Sequence, residues 1–201
     1  MVAKALSGAG APREIVKPGN SLLVPSQLIE DGQRLLFFGD MGTSTGFDIF
    51  TMPIAGGTPV PIVQGPLTDV EPQVSPDGRW IAYSTTDTTG NYDLFVQPFP
   101  PTGQKWQVST AGGRQPMWRR DGRELYFVTN TGRFYAVDVS PGPSFQYGPP
   151  HVLFDMPSIT VSVRNSYVPS KDGKRFLVNK LLDTAVLPIN VVVNWAATTE
   201  K

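Results

Sequence analysis

The hydrophobic pattern of this chain is built on an Asp-Gly pair that is followed, one or two residues later, by a short apolar run. The pair occurs four times, with intervals of 46, 44 and 51 residues, beginning at Asp31, Asp77, Asp121 and Asp172. The apolar runs read LLFF, WIAY, LYFV and FLV. Because both residues of an Asp-Gly pair adopt positive φ cheaply in a tight turn, each copy predicts two strands joined by a hairpin turn.

Each apolar run predicts a strand that is buried on both faces. The residues four and six positions after the Asp, such as Ile81 and Tyr83, share one face of a strand, and the residue between them, such as Ala82, lies on the other. All three positions are apolar in every copy, which is typical of sheets that stack face to face. We therefore expect the repeat to lie in the middle of packed sheets.

Two further strands follow in each of the first three units. The third strand is predicted at residues 47–54, 92–99 and 133–140, and the fourth reads TPVPIV, KWQVST and HVLF. Twenty Gly and twenty Pro leave no window for a helix with a 3.6-residue period. Four strands in a unit of about 45 residues are typical of β-propeller blades.

The predicted fold is therefore all-β, a β-propeller of about four four-stranded blade units that forms a partial ring. The units span residues 25–69, 70–113, 114–158 and 162–198, and residues 199–201 are a polar tail. Residues 1–24 read as a half-blade remnant with a short outer strand. If this remnant pairs with the last unit, the two chain ends share one sheet; otherwise an open blade edge remains for a partner such as a second copy.

Composition narrows the classes of partner. Seventeen basic residues balance seventeen acidic ones, so no net field attracts polyanions, and we expect no nucleic acid as a partner. The sequence shows no uninterrupted apolar segment for a secretory signal or a membrane span, so we expect no membrane insertion and a cytoplasmic location for the chain as it stands. The absence of cysteine removes disulfides and thiolate metal sites.

The sequence resembles a known family of repeats in several stretches. These include EPQVSPDGRWIAYSTTDTTGNYDLFVQPFP, KWQVSTAGGRQPMWRRDGRELYFV, SYVPSKDGKRFLVN and LPINVVVNW. They are similar to the TolB-like β-propeller repeats of large bacterial proteins, and most of all to propellers that follow a serine/threonine protein kinase domain. The likeness covers residues 26–198 and implies the C-terminal portion of a propeller that binds proteins or ligands. The motifs of the kinase itself are not in this sequence, so phosphoryl transfer is not implied.

One candidate for catalysis is the stretch GTSTG at residues 42–46, which fits the GxSxG pattern of serine hydrolases. Ser44 would be the nucleophile and His151, the one histidine, follows it in the chain order of those enzymes. However, the pattern requires a turn from a strand into a helix, whereas here strands are predicted on both sides. A surface loop of small residues is the favoured interpretation.

A second candidate is the mouth of the central channel. The innermost strand of each blade leads up to the Asp-Gly turn, so polar residues before the turn converge on the axis; they are Asp69, Glu71, Arg114, Gln115, Arg164 and Asn165. Their oxygen atoms could bind a ligand, and Asp69 and Glu71 could hold Ca²⁺ that polarises an ester or lactone carbonyl. The alternative, which we favour, is that the carboxylates and arginines pair across the axis.

The function that the sequence favours is a non-enzymatic binding or assembly module for a protein or small-molecule ligand, with no cofactor required. The alternative is a hydrolase of lactones or esters, assisted by Ca²⁺ at the channel or based on Ser44. Asp48 and Asp93, each two residues before a Phe in the third strand, are interpreted as acceptors of hydrogen bonds inside their own blades.

Overall fold

The structure is a computed structural model that describes residues 1–4, 11–16, 22–42, 46–156 and 165–179. Within these ranges the regular structure consists of seventeen β-strands, and no helix is present that is long and apolar enough to cross a bilayer. All strand pairs are antiparallel. The all-β prediction is confirmed.

The chain begins with a two-stranded ribbon, formed by β1 (Val2–Ala3) and β2 (Arg13–Glu14). Four-stranded sheets follow, in which each strand pairs with the next along the chain. Blade 1 contains β3 (Leu23–Ile29), β4 (Arg34–Gly39), β5 (Asp48–Pro53) and β6 (Val60–Val63). Blade 2 contains β7 (Asp69–Val74), β8 (Trp80–Thr86), β9 (Tyr92–Pro98) and β10 (Trp106–Gln107).

Blade 3 has one strand more than the sequence predicts. It contains β11 (Arg114–Trp118), β12 (Glu124–Val128), β13 (Arg133–Ser140), β14 (Gln146–Tyr147) and β15 (His151–Asp155). Both β14 and β15 pair with β13, which is long enough to hold them at its two ends. Blade 4 is described for its first two strands, β16 (Tyr167–Pro169) and β17 (Phe176–Val178).

The Asp-Gly pairs lie where the repeat places them, in the turn between the first and second strands of every blade. The prediction that both residues adopt positive φ is correct in blade 1, where Asp31 and Gly32 have φ of 52° and 84°. It is wrong in blades 2 to 4, where only the glycine is left-handed, as Gly78 is with φ of 74°.

The turn spans four residues in blade 1 as well, where Ile29 pairs with Arg34, but in blades 2 to 4 the side chain of the aspartate bonds within the turn. In blade 2 the chain reverses over four residues, so the Gly78 N–H donates to the Ser75 carbonyl (2.9 Å) and the Ser75 N–H to the Trp80 carbonyl (2.8 Å). Asp77 then accepts a hydrogen bond from the Arg79 N–H through its carboxylate (3.2 Å). The same backbone and carboxylate bonds recur at Asp121 and Asp172. The aspartate therefore stabilises the turn with its side chain rather than its backbone conformation.

Blades stack face to face, and the alternation along the second strand decides which neighbour each residue contacts. We call the face toward the next blade along the chain the forward face, and the opposite one the rear face. In β8, Ala82 packs forward against blade 3, whereas Ile81 and Tyr83 pack rearward against blade 1. In β12, Tyr126 likewise packs forward on blade 4 and Phe127 rearward on blade 2.

The rear face of blade 1 is covered in part by the N-terminal ribbon. Met1 and Ile15 pack there against a cluster that includes Leu35 and Phe37, and the Arg13 guanidinium donates to the backbone carbonyls of residues 54 and 55. The ribbon thus lies where a preceding blade would stack. The segment 180–198, which would have to pair with it to join the two chain ends, lies outside the described residues.

Burial on both faces, predicted for all four copies, is wrong for the last one. Leu177 in β17 is 77% exposed, whereas the equivalent residues in the other blades, Leu36, Ala82 and Tyr126, are at most 1% exposed. The physical reason is that each of those residues has a following blade to pack on, and no described blade covers the forward face of blade 4.

Candidate functional site

The first strands of blades 2 and 3 each carry an irregularity on the inner side of the sheets. The pairing register shifts between Val70 and Gln73 in β7 and between Arg114 and Met117 in β11. At these bulges Glu71 and Gln115 have φ of 58° and 55°. Residues with a side chain rarely adopt this left-handed conformation. Both residues occupy the sixth position before the Asp of the repeat.

The carboxylate of Glu71 connects blade 2 to blade 3. It accepts hydrogen bonds from the Arg114 guanidinium (2.7 Å), the Gln115 backbone N–H (2.9 Å) and the Ser84 hydroxyl (3.0 Å). The side chains of Glu71 and Arg114 are 2% and 11% exposed. A buried carboxylate with three donors, one of them charged, is held in place and neutralised by its neighbours.

Gln115 repeats this arrangement between blades 3 and 4. Its Oε1 accepts the Ser166 backbone N–H (2.8 Å), and its Nε2 lies 3.2 Å from the Ser166 hydroxyl. The Tyr167 hydroxyl donates to the Gln115 carbonyl at 2.8 Å. In both cases, therefore, the side chain at the bulge accepts the backbone N–H at the same repeat position in the next blade. We call this pair of contacts the axial clasp.

Arg114 is the one cation in the clasp. Its guanidinium carbon lies 4.0 Å from the centre of the Tyr92 ring, and its side chain donates to Glu71 through Nη2. Its Nε has no hydrogen-bond partner among the described residues. Stacking on an aromatic ring and pairing with one carboxylate are how a mostly buried arginine is stabilised.

Blades 1 and 2 are joined differently because Pro25 occupies the clasp position of blade 1. Here Gln27 makes a two-point contact, in which its Oε1 accepts the Val74 N–H (2.8 Å) and its Nε2 donates to the Val74 carbonyl (3.3 Å). A cavity of about 100 Å³ remains beside Pro25. Its lining is drawn from blades 1, 2 and 4: Val24, Pro25, Ser26, Phe38, Glu71, Gln73 and Asn165.

Asp69 is buried apart from the clasp, at the start of β7. It accepts the Thr85 hydroxyl at 2.6 Å, and its backbone N–H donates to the Phe47 carbonyl of blade 1. Burial raises the pKa of Asp69 from its ordinary value of 3.8 to about 6, and the neighbouring Asp48 carboxylate acts in the same direction. The carboxyl group is therefore partly protonated in mildly acidic solution.

The predicted channel residues are thus only partly brought together. The structure joins Glu71, Arg114 and Gln115 in one network between the neighbouring blades 2 and 3, and places Asn165 on the same cavity as Glu71. Asp69 bonds elsewhere, and Arg164 lies outside the described residues. Among the described residues no three His, Cys, Asp or Glu side chains are grouped so as to hold a metal ion.

The serine hydrolase prediction is not tested by the structure, because Ser44 lies outside the described residues. His151 is exposed at the start of β15, where it pairs with Ala136 at the outer side of blade 3. Asp48 and Asp93 accept hydrogen bonds inside their own blades, from the Gly65 N–H (3.4 Å) and the Ser109 hydroxyl (2.7 Å).

Sequence reasoning missed Ser166 and Tyr167, which complete the clasp on blade 4. Counting back from Asp172 finds the first of them, because Ser166 occupies the same sixth position as Glu71 and Gln115. The Ser84 hydroxyl has no such signal, since it lies in the middle of a strand and is brought to Glu71 only by the pairing of β7 with β8.

A larger polar cavity, of about 470 Å³, lies between blades 2 and 3 at their loops. We call it the rim cavity. Its lining contains carboxylates, amides, hydroxyls and one tyrosine but no basic side chain: Asp87, Asn91, Tyr92, Asp93, Gln107, Thr110, Ala111, Gly112, Gly113, Thr129, Asn130 and Thr131. In one wall Asp87 accepts the N–H groups of Thr89 (2.7 Å) and Asn91 (2.9 Å), which hold the loop in a turn.

Comparison with known proteins bears on the fold. No protein-family model matches the sequence, and no curated protein matches it significantly. Among solved structures, TolB from Acinetobacter baumannii is similar with a TM-score of 0.60 and 18% identity, over 86% of this chain and 41% of that one. A TolB-like protein from Agrobacterium tumefaciens is similar with a TM-score of 0.56 and 22% identity, over 75% of this chain and 55% of that one.

The chain therefore spans about half the length of these structures or less. Both are TolB-like propellers, and the similarity extends over most of the described strands. At such identities the likeness concerns the fold. The fold of this chain is a β-propeller fold similar to that of TolB.

Proposed function

We propose that this chain is a non-enzymatic binding module made of β-propeller blades, which presents the rim cavity to a protein or small polar ligand. The observation that carries the proposal is the closed state of Glu71. This axial carboxylate already accepts three hydrogen bonds, one of them from a neutralising arginine, so at most one of its four lone-pair sites is left for a substrate or a cation. The axial clasp then serves to hold the blades together, and the ligand binds in the rim cavity between blades 2 and 3.

The chemistry of the rim cavity supports a ligand that donates hydrogen bonds. Two carboxylates, Asp87 and Asp93, share the lining with three amide side chains and no basic group. The pKa of Asp87 is lowered by hydrogen bonds from Thr89 and Asn91, so this carboxylate is ionised at neutral pH. Hydroxyl groups of a saccharide, or the cationic side chains of a peptide, have the matching donors.

A narrower proposal concerns the parent protein. The likeness of residues 26–198 to propellers that follow bacterial serine/threonine protein kinase domains supports the idea that this chain serves as such a C-terminal module. In that setting the ligand would be sensed or tethered beside an enzyme that another domain supplies.

The test combines catalysis and binding. A panel of ester and lactone substrates, assayed with added Ca²⁺ and with a chelator, should show no turnover above buffer. Thermal unfolding should then be followed with neutral saccharides and with lysine- or arginine-containing peptides, because a ligand that binds only the folded state raises the unfolding temperature. Ala111→Trp, which fills the exposed mouth of the cavity, should abolish the shift, whereas Val152→Trp on the outer strand β15 should not. Turnover on the panel, or a shift that survives Ala111→Trp, would contradict the proposal.

A further inference from the structure

The forward face of blade 4 exposes Leu177, whose equivalent every other blade buries, together with Val168. Leu177 is 77% exposed and Val168, its partner in the β16–β17 pair, is 54% exposed. The equivalents of Val168 in blades 3 and 1 are Met117 and Gln27. Each of them contacts the next blade along the chain, since Met117 packs on blade 4 and Gln27 bonds to Val74 of blade 2. This surface therefore corresponds to the surfaces that contact a following blade elsewhere in the chain.

On the rear side of blade 1 the N-terminal ribbon covers Leu35 and Phe37 but leaves Leu28 open. Leu28 lies three positions before Asp31, where Val74 and Trp118 of the later blades pack against the preceding blade. Leu28 is 57% exposed and lines an apolar groove of about 520 Å³ together with the ribbon residues Val2 and Ile15. The groove and the forward face of blade 4 therefore lie on the first and the last of the four described blades.

Charges on the turns of these two end blades are complementary. Consecutive blades bring their Asp-Gly turns together: Gly173 of blade 4 lies beside Arg119 of blade 3, and Gly122 of blade 3 lies near Pro76 of blade 2. The turn of blade 4 carries exposed Lys171, Lys174 and Arg175 beside Asp172, whereas the turn of blade 1 begins with exposed Glu30, which pairs with Arg34 at 3.6 Å, and exposed Asp31. Stacking blade 4 against blade 1 would place the basic turn next to the acidic one.

We propose that a second copy of this chain covers the forward face of blade 4. The groove around Leu28 on blade 1 of the second copy would contact this face. The contact is head-to-tail, so two copies related by a twofold axis can make it twice and close a ring. The proposal is independent of the rim cavity, because both contact surfaces lie on blades 1 and 4 and the cavity lies between blades 2 and 3.

The experiment is sedimentation of the whole chain over a range of concentrations, with variants of each surface. The wild type should form a dimer. Leu177→Glu and Leu28→Glu should each weaken dimerisation at least tenfold, because each places a charge in an apolar contact on an already exposed position. Val152→Glu is the matched control, since Val152 is 50% exposed on the outer strand β15 and belongs to neither surface. Circular dichroism and thermal unfolding confirm that each variant is folded.

Mixing the two variants tests the head-to-tail geometry. A Leu177→Glu copy keeps an intact rear surface and a Leu28→Glu copy keeps an intact forward surface, so their mixture should associate more tightly than either alone. A wild type that stays monomeric at its highest soluble concentration would overturn the proposal. So would a dimer that Leu177→Glu leaves intact, a dimer that Val152→Glu dissolves, or a mixture that associates no better than the separate variants.

Discussion

Replacing Glu71 by Gln tests whether the axial clasp holds blades 2 and 3 together. Gln keeps the shape of the side chain and an acceptor for the Gln115 N–H, but it removes the charge that neutralises Arg114. Removing one partner of a buried ion pair leaves an uncompensated buried charge, which costs about 3 to 5 kcal/mol. We expect Glu71→Gln to lower the free energy of unfolding by about this amount, a large part of the total for a domain of this kind.

The assay is urea unfolding followed by tryptophan fluorescence, with the free energy extrapolated linearly to water. Asp155→Asn is the control, because it makes the same kind of change in the Arg133–Asp155 pair, whose side chains are about half exposed and 2.7 Å apart. Solvent screens an exposed pair, so the control should change the free energy of unfolding very little.

A double variant separates the charge from the packing. In Glu71→Gln/Arg114→Met the unpaired buried charge is gone, and a flexible apolar side chain fills the space of the arginine, so much of the lost stability should return. The reasoning is refuted if Glu71→Gln costs no more than Asp155→Asn, or if it stabilises the protein, as replacement of a functional residue held under strain can do.

Two further predictions concern single buried positions. Because burial raises the pKa of Asp69 to about 6, the folded state binds its proton more tightly than the unfolded chain does, so stability should fall by about 3 kcal/mol as pH rises from about 4 to about 6 and then level off. Asp69→Asn should remove this fall in stability, measured by urea titrations at each pH, and an unchanged pH profile in Asp69→Asn would contradict the assignment. Asp121→Asn is the comparison, because Arg119 lowers the pKa of Asp121. It should remove a contribution to stability of the opposite sign, one that is lost on acidification. Gly39→Ala should cost about 1 to 3 kcal/mol because its Cβ would overlap the carbonyl oxygen of Leu22, whereas Gly142→Ala, whose Cβ would meet only the Ser144 carbonyl oxygen at an ordinary contact distance of 3.8 Å, should be neutral; equal costs would contradict the packing argument.

The fold could be predicted because the same pattern, an Asp-Gly turn followed by an apolar strand, occurs four times. Each Asp-Gly pair marks a turn, and the apolar residues on both sides of β4, β8 and β12 require a sheet on either face. The extra strand β14 could not be located from the pattern, because a strand of two residues carries no usable period. The exposure of Leu177 could not be read either, because a strand pattern does not say whether the next sheet is present.

The sequence predicted that Glu71, Arg114 and Gln115 lie near one another, but not which hydrogen bonds they form. Position along the first strand was enough to select Glu71, Arg114 and Gln115. Their hydrogen-bond partners depend on the bulges, where residues with left-handed φ values contact the next blade through their side chains. A left-handed φ at a residue other than glycine cannot be predicted from the residue type. The inclusion of Asp69 shows the same limit, because the bulged register places it beside Thr85 and not beside Glu71.

Amide hydrogen exchange in the native state tests most directly the central claim that polar clasps at the axis join the blades into one unit. The amides of Gln115 and Ser166, which donate to side chains of the preceding blade, should exchange only with the free energy of global unfolding, as amides in the middle of β8 do. Exchange of these two amides through local opening, with blades 2, 3 and 4 losing protection separately, would contradict the account.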